Sequence, residues 1–468
     1  MRKEGKKNGI RILLISALCL CLLGACNGKA GDEGQSGNGN LFGRKELPED
    51  TPWNHGQDAV METENGYYSS MMTAGYQAGL CLRYYDKETG ATTLLCNKPE
   101  CQHEGDASCE ATYMGVRVIN TALYEGAIYV LGKETSGGMV SINLYKAALN
   151  GSAMDKVGTV ISEALPVDES GNPQEVTFQQ KDAYDEIYQE IEYGFILHKG
   201  FAYIPYFLRF GKGMKGFQGG GLVKMDVKTG EKKEIYSLEN PNQGVPARLM
   251  AQGDYVWFRV YLNHKGSRIK RYCISKDEIE DYFGNGYVAD DPETKSELLA
   301  PLLGEGRVYD VSYSLTETLK PQNTRFLAYD LETGKYKPEE LIDTGREFRR
   351  IADAFVYEKQ IFWGDLYGLY AVDVMTREEK ALPFPEEKAG IDLQRKGADH
   401  SLKKVRYKLS NGTLYLLFWD EKDVRYMTGG YGYRKRVFAC PLEDFNAGKG
   451  AWTEIFTVEG SAEGEKFE

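Results

Sequence analysis

Four side chains that could ligate a soft metal lie within one short segment, residues 96–109. Thiolates and imidazole are the ligands that tetrahedral Zn²⁺ prefers, and a proline and a glycine between them allow tight turns. The count and type predict a Cys₃His structural zinc site. Its ligands would be Cys96, Cys101, His103 and Cys109.

A disulfide is the alternative for the same cysteines. Outside the cytoplasm thiols oxidise readily, and a further cysteine, Cys81, precedes the segment. Two of the clustered cysteines could pair with each other, with the third joined to Cys81. The sequence leaves zinc, disulfide and free thiols open. Two remote cysteines, Cys273 and Cys440, read as small apolar strand residues without a role.

A four-ligand site is closed, so it would stabilise a loop and would not activate water. Other enzyme signatures are missing from the sequence: no G-x-S-x-G, H-E-x-x-H or P-loop pattern occurs. His198 and His264 read as solvated residues beside strands. Asp290, Asp291 and Glu293 could flank a glycosidic bond, but the sequence does not single out a pair. No catalytic residue is predicted.

The amino-terminal sequence predicts where the protein is located in the cell. A basic start precedes the apolar run 12–23, which is too short to cross a bilayer. Leu23-Gly24-Ala25-Cys26 then matches the pattern of a lipoprotein signal. We expect cleavage after residue 25 and lipidation of Cys26, which would tether the protein to the outer face of the bacterial cell membrane, because two acyl chains anchor stably.

The residues that follow predict a tether and an acidic body. Glycine recurs through residues 27–40, so residues 26–52 should form a flexible linker ahead of a folded domain at 53–460. Residues 1–25 hold five Lys/Arg and one Glu, so their removal takes the net charge from −12 to −16. An acidic chain is a poor partner for nucleic acid.

A repeated segment predicts the architecture of that domain. A turn residue followed by an alternating, aromatic-rich strand recurs seven times, with spacings of 60, 74, 53, 53, 53 and 53 residues. The seven copies begin at Gly66, Gly126, Gly200, Gly253, Gly306, Lys359 and Gly412.

A second recurring element is a D-x-x-T-G hairpin turn, in which the aspartate accepts backbone N–H bonds and the glycine takes a positive φ. It occurs at Asp86, Asp226 and Asp330, with weaker copies at Asp373 and at 146–151. Two hairpins in each unit of about 50 residues predict an all-β chain folded as a single β-propeller, with seven blades as the first expectation and six or eight as the alternatives. Divergent first and last units suggest closure by strands shared between the termini.

Two departures from the repeat predict short helices. The 74-residue interval contains an insertion around 182–193, rich in helix formers. Ser275-Lys276-Asp277-Glu278 has the pattern of a capping box. Insertions in repeat proteins usually map to loops on one face, where binding resides.

The lipobox, the tether, the D-x-x-T-G turns and the Cys-x-x-Pro-x-Cys-x-His pattern within residues 95–109 together carry a resemblance. The chain resembles uncharacterised clostridial-type β-propeller lipoproteins of the TolB-like propeller group. The resemblance covers nearly the whole chain and implies a surface-exposed propeller. The D-x-x-T-G turns are not followed by the tryptophan typical of quinoprotein propellers, so no quinone cofactor is expected.

Two functions from different classes follow. The first is a binding module that holds a glycan, a peptide or a surface protein, with aromatic residues for stacking such as Trp363, Tyr367, Tyr370 and Trp419. The second is an extracellular polysaccharide hydrolase or lyase, which would require carboxylates gathered at one mouth of the central channel. The first is preferred.

Overall fold

A computed structural model describes most of the strands of this chain. The described residues are 60–69, 82–101, 116–167, 169–171, 176–178, 194–210, 217–238, 246–261, 267–281, 294–302, 307–315, 321–330, 339–344, 355–357, 359–364, 369–382, 403–410, 413–420 and 432–461. The chain divides into two units, Met1–Gly39 and Asn40–Glu468, and all of these residues belong to the second. No helix in the described ranges has both the length and the apolar character to cross a bilayer.

The prediction of a seven-bladed β-propeller is confirmed. Seven antiparallel sheets follow one another along the chain, each with four consecutive strands, and the third carries one extra strand. Blade 1 contains β1(Val60–Glu62), β2(Gly66–Ser69), β3(Arg83–Asp86) and β4(Thr92–Leu94). Blade 2 contains β5(Arg117–Tyr124), β6(Ala127–Ser136), β7(Met139–Ala148) and β8(Met154–Ala164). Blade 3 contains β9(Val176–Phe178), β10(Ile196–His198), β11(Phe201–Phe210), β12(Phe217–Asp226) and β13(Lys232–Ser237).

The remaining blades follow the same plan. Blade 4 contains β14(Ala247–Gln252), β15(Tyr255–Tyr261), β16(Ser267–Cys273) and β17(Glu278–Asp281). Blade 5 contains β18(Thr294–Leu302), β19(Arg307–Leu315), β20(Pro321–Asp330) and β21(Glu339–Asp343). Blade 6 contains β22(Phe355–Tyr357), β23(Gln360–Gly364), β24(Leu369–Asp373) and β25(Glu379–Leu382). Blade 7 contains β26(Lys403–Ser410), β27(Thr413–Asp420), β28(Gly432–Pro441) and β29(Thr453–Ser461), with helix α1(Leu442–Asn446) between the last two strands.

Each predicted repeat start lies at the beginning of the second strand of a blade. At Gly126 and Gly200 the glycine is the second residue of a two-residue hairpin turn, with φ of +71° and +78°. Gly66 instead is the first strand residue, and Gly253 is the first turn residue. The sequence alignment is therefore off by one at two of the seven positions.

An aromatic side chain occupies the third position of the second strand in every blade, and all seven are buried. Since strand side chains alternate, the second and fourth positions face the opposite way. Tyr129 packs in one cluster with Ala202 and Ile204 of the next blade, and Tyr203 packs in another with Val256 and Phe258. Each blade thus inserts an aromatic ring against its successor. The seven are Tyr68, Tyr129, Tyr203, Trp257, Tyr309, Phe362 and Tyr415.

The first strands of the blades form the innermost layer of the ring. Contacts join β1 to β5, β5 to β10, β10 to β14, β14 to β18 and β18 to β22, and β26 returns to β1. The expectation of strands shared between the termini is wrong. Blade 1 takes all four strands from 60–94, and blade 7 takes all four from 403–461.

The ring closes through side chains that link blade 7 to blade 1. The Glu62 carboxylate accepts hydrogen bonds from Thr413 Oγ1 at 2.6 Å and from the Tyr415 hydroxyl at 3.0 Å, and it pairs with Lys87 at 2.7 Å. The Tyr67 ring meets Tyr415 edge-on at 6.0 Å. Burial, followed by the charge of Glu62, raises the pKa of Tyr67 to about 12. A hydrogen-bonded carboxylate therefore replaces strand exchange as the closing contact.

The insertion in the 74-residue interval leaves from the middle of a strand. β9 pairs with the far end of β11 (Phe178 opposite Leu208), and β10 pairs with its near end (His198 opposite Phe201). Both run antiparallel to β11, so together they form one innermost strand that is interrupted after Phe178 and resumes at Ile196. The predicted helix at 182–193 lies outside the described residues.

The prediction of a short helix that begins with a capping box at 275–278 and continues toward Tyr282 and Phe283 is wrong, because strand β17 begins at Glu278. These residues form the turn between β16 and β17, in which Cys273 pairs with Glu278. Asp277 adopts φ +57°. Ser275 donates through both its hydroxyl and its backbone N–H to Asp254, so it does not cap a helix.

Replacing Glu62 by alanine should weaken ring closure. The change leaves the buried Tyr415 hydroxyl without its acceptor, so we expect a loss of about 1–3 kcal/mol in the free energy of unfolding, measured by urea titration. Glu64, exposed two residues away in the β1–β2 turn, provides the control. Glu64→Ala should change stability by less than about 0.5 kcal/mol. Equal effects of the two variants would contradict the closing role of Glu62.

Candidate functional site

The two faces of the ring differ in the length of their chain connections. Connections from first to second strands are two to four residues long, and those from third to fourth strands are four to eleven. Both kinds of connection lie on one face of the propeller, which we call the short-turn face. The opposite face, which we call the long-connection face, carries the connections from second to third strands and the connections from one blade to the next. Those of eleven or more residues are 70–82, 95–116, 165–195 (which includes β9), 282–293, 344–354, 383–402 and 421–431.

Two of the predicted metal ligands, Cys96 and Cys101, lie on the long-connection face. Cys96 and Cys101 follow β4, and both are half-buried. The N–H of Cys101 donates to the Lys98 carbonyl at 3.1 Å, which forms the turn that Pro99 predicts. The other proposed partners, Cys81, His103 and Cys109, lie outside the described residues, as does the lipidation residue Cys26. Among described side chains, no three His, Cys, Asp or Glu groups are placed to hold a metal.

Hydrogen bonding beside β4 bears on the disulfide alternative. The N–H of Leu95 donates to the carbonyl of Leu82 at 2.9 Å, which extends the β3–β4 pairing by one residue. In the sequence, Cys81 precedes Leu82 and Cys96 follows Leu95. The chain neighbours of these two cysteines are therefore hydrogen-bonded partners.

Two charged side chains are buried between blades 4 and 5. Arg259 is 8% exposed and Asp310 is 1% exposed. Arg259 lies two residues beyond Trp257 on the same side of its strand, and Asp310 is the residue after Tyr309. By alternation both face the space between these blades, and both lie beyond the aromatic layer toward the long-connection face. Burial of charge is costly, and the sequence pattern did not single out either residue.

The D-x-x-T-G turns join third to fourth strands, as their pattern predicts. Asp226 Oδ1 accepts from the N–H groups of Lys228 at 2.7 Å and Thr229 at 2.9 Å, and Gly230 has φ +73°. Backbone N–H bonds, that of Thr229 foremost, lower the pKa of Asp226. The same bonds form at Asp86 and Asp373. In the weaker copy Arg377 replaces the glycine and adopts φ +63°. These aspartates are structural.

A group of ionisable side chains lies on the short-turn face, between blades 3 and 4. Lys224 of β12 donates to the Tyr272 hydroxyl at 3.1 Å, and that hydroxyl donates to Asp277 Oδ1 at 2.5 Å. Asp277 also pairs with Lys233. Nearby, Asp254 pairs with Lys199 at 3.6 Å. All of these contacts except the Tyr272–Asp277 bond cross the blade boundary, and no sequence motif marks them.

Several residues considered from sequence have core roles. His198 is not solvated: it is fully buried in β10, with Nε2 2.8 Å from the Gly253 carbonyl oxygen. Trp363 is buried and stacks on Tyr370 at 4.6 Å, so it is not a free platform for a sugar. Cys273 and Cys440 are buried strand residues, as predicted. The structure does not describe the side chains of Tyr367 and Trp419 or the residues His264, Asp290, Asp291 and Glu293.

No protein-family model matches this sequence, and no curated protein matches it. Solved structures do match this chain, at low identity and low TM-score. A puromycin hydrolase has 11% identity and a TM-score of 0.44, over 90% of this chain and 55% of its own. The GH74 xyloglucanase from Xanthomonas campestris has 10% identity and a TM-score of 0.44, over 87% and 55%. A PL25 ulvan lyase has 9% identity and a TM-score of 0.39, over 73% and 82%. This chain spans about half the length of the puromycin-hydrolysing structures.

Replacing Asp226 by asparagine should change how stability depends on pH. A carboxyl whose folded pKa is below its ordinary value of 3.8 stabilises the fold above that pH, and the stabilisation is lost as pH falls through the folded pKa. We therefore expect the wild type to melt above Asp226→Asn at pH 7 and the gap to narrow below about pH 4. Asp155→Asn, at an exposed position in β8, is the control. A gap that does not change with pH would contradict this role.

Proposed function

We propose that this protein is a lipid-anchored, extracytoplasmic β-propeller that binds a glycan, a peptide or a surface protein through its long-connection face. The single observation that carries the proposal is the difference between the two faces. Loops held by a rigid scaffold tolerate variation and commonly carry binding residues. In this chain seven of the eight connections of eleven or more residues lie on one side of the ring, and the eighth, 442–452, contains helix α1.

The buried charges between blades 4 and 5 support the same face. Arg259 and Asp310 lie on the long-connection side of the aromatic layer. A propeller core needs only apolar side chains between its blades, so charged groups retained there have a stability cost. At this position the two side chains could provide polar groups to a ligand bound on the long-connection face.

The anchor is tested by replacing Cys26 with serine. Serine has no thiol to accept lipid, so we expect the variant chain in the soluble fraction of lysed cells. The wild-type chain should sediment with membranes and enter solution only with detergent. Wild-type protein that is soluble without detergent would contradict lipid anchoring.

The binding face is tested on the detergent-extracted full chain with a glycan array and a peptide panel. Shortening residues 421–431, between β27 and β28, to a four-residue turn should abolish or strongly weaken binding. A matched change on the short-turn face, residues 149–153 to a two-residue turn, should leave binding intact. Melting curves confirm that both variants fold. Loss of binding only in the second variant would place the ligand on the opposite face.

We further propose that the segment beginning at Cys96 holds a structural zinc ion through Cys96, Cys101, His103 and Cys109. The half-buried thiols of Cys96 and Cys101 and the turn between them fit such a site. We expect one zinc per chain by elemental analysis, lost in Cys101→Ser and kept in Cys273→Ala. Cleavage and lipidation leave six free cysteines in the mature chain, residues 81, 96, 101, 109, 273 and 440. Absence of metal together with two titratable thiols fewer than these six would instead establish a disulfide, for which the Leu82–Leu95 bond favours Cys81 and Cys96.

A further inference from the structure

Among the described residues, Lys224 differs from the neighbouring Lys199 and Lys233 because its amine forms no ion pair within 4 Å of a carboxylate. Lys199 and Lys233 each pair with an aspartate. Within the described chain, the contacts of the Lys224 amine are a phenol oxygen and two aromatic rings. Its Nζ lies 3.1 Å from the Tyr272 hydroxyl, 4.2 Å from the centre of the Phe201 ring and 5.2 Å from that of Tyr272.

The amine lies at the head of a short proton path. Lys224 donates to the Tyr272 oxygen, and Tyr272 donates at 2.5 Å to Asp277. Asp277 is about half exposed to solvent. A proton leaving Lys224 can pass to the phenol oxygen while the phenol proton passes to the carboxylate, and from there to water.

The surroundings favour the neutral amine and keep the path intact. Burial, the largest effect, lowers the pKa of Lys224 because a half-buried ammonium loses hydration, and the charge of Lys233 lowers it further. The carboxylates of Asp277 and Asp254 act in the opposite direction but leave the pKa below its ordinary value. The pKa of Asp277 is lowered by its bonds from Lys233 and Tyr272, so it is a carboxylate at neutral pH. Burial and the Asp277 bond raise the pKa of Tyr272, which keeps the phenol protonated.

We propose that Lys224 is a nucleophilic amine that forms an imine with a small aldehyde or ketone entering between blades 3 and 4 on the short-turn face. The neutral Nζ gives its lone pair to the carbonyl carbon, and the displaced C=O electron pair takes a proton from water. The hydroxide left by that water takes one of the two nitrogen-bound protons, and loss of the new hydroxyl with the other proton, as water, leaves the neutral C=N bond. No oxidant or reductant is needed.

The test is reductive trapping on the full chain. Glycolaldehyde and cyanoborohydride are added at pH 7, and peptide mass spectrometry follows each lysine. Lys146 is the matched reference: its amine lies 5.9 Å from the Tyr129 ring but the residue is exposed. We expect Lys224 to be labelled several-fold faster than Lys146 and to reach its maximal rate at lower pH. Labelling of Lys146 as fast as Lys224 would overturn the proposal.

Two variants test the role of the Lys224 amine and the role of the proton path through Tyr272 separately. Lys224→Arg keeps the charge and the ring contacts, so it should remove the fast-labelled site without lowering the melting temperature. Tyr272→Phe keeps the ring but interrupts the proton path, and it should slow labelling of Lys224 while Lys146 is unchanged. An unchanged Lys224 rate in Tyr272→Phe would show that Tyr272 does not relay the proton.

Discussion

The propeller depends on one repeated contact, the aromatic ring at the third position of each second strand packed against the next blade. A single four-stranded sheet of this kind is unstable in water because both of its faces are apolar. One face presents the aromatic side chain at the third position of the second strand, and the other presents the side chains at the second and fourth positions of that strand. Each blade therefore needs a neighbour on both sides. A ring is the arrangement in which every blade has two.

The junction that closes the propeller, between blades 7 and 1, differs from the other junctions between blades. Elsewhere in the chain adjacent blades are covalently connected, but blades 7 and 1 are brought together by contacts alone. The junction combines Tyr415 and Tyr67 with the carboxylate of Glu62, which gives directional hydrogen bonds that apolar packing cannot supply. Blade 1, with strands of only three or four residues, therefore depends on blade 7 as well as on blade 2.

Local patterns in the sequence predicted what local physics determines. Alternation and turn chemistry were sufficient for the blade count, the hairpin turns at Asp86 and Asp226 and the starts of the second strands. The exact register at Gly66 and Gly253 was missed, because a glycine serves equally well inside a turn or beside it. The capping-box pattern at Ser275 was misleading, since the serine found a partner, Asp254, that is distant in sequence.

The groups of possible chemical interest were least predictable. Lys224 and Tyr272 lie 48 residues apart and meet only when two blades pack together. His198 reads as a loop residue until the next blade supplies a carbonyl for its ring. The buried charges Arg259 and Asp310 follow an apolar pattern closely enough to escape notice. Such sites arise between repeats, whereas sequence periodicity describes what lies within them.

The interrupted innermost strand of blade 3 has a consequence for evolution of this chain. Insertions in repeat proteins usually map to the loops on one face, between complete strands. Here the added residues begin at Phe178 and rejoin at Ile196, both on the edge that borders the central axis. Changes in their length or charge would alter the environment of that axis while the seven sheets keep their pairing.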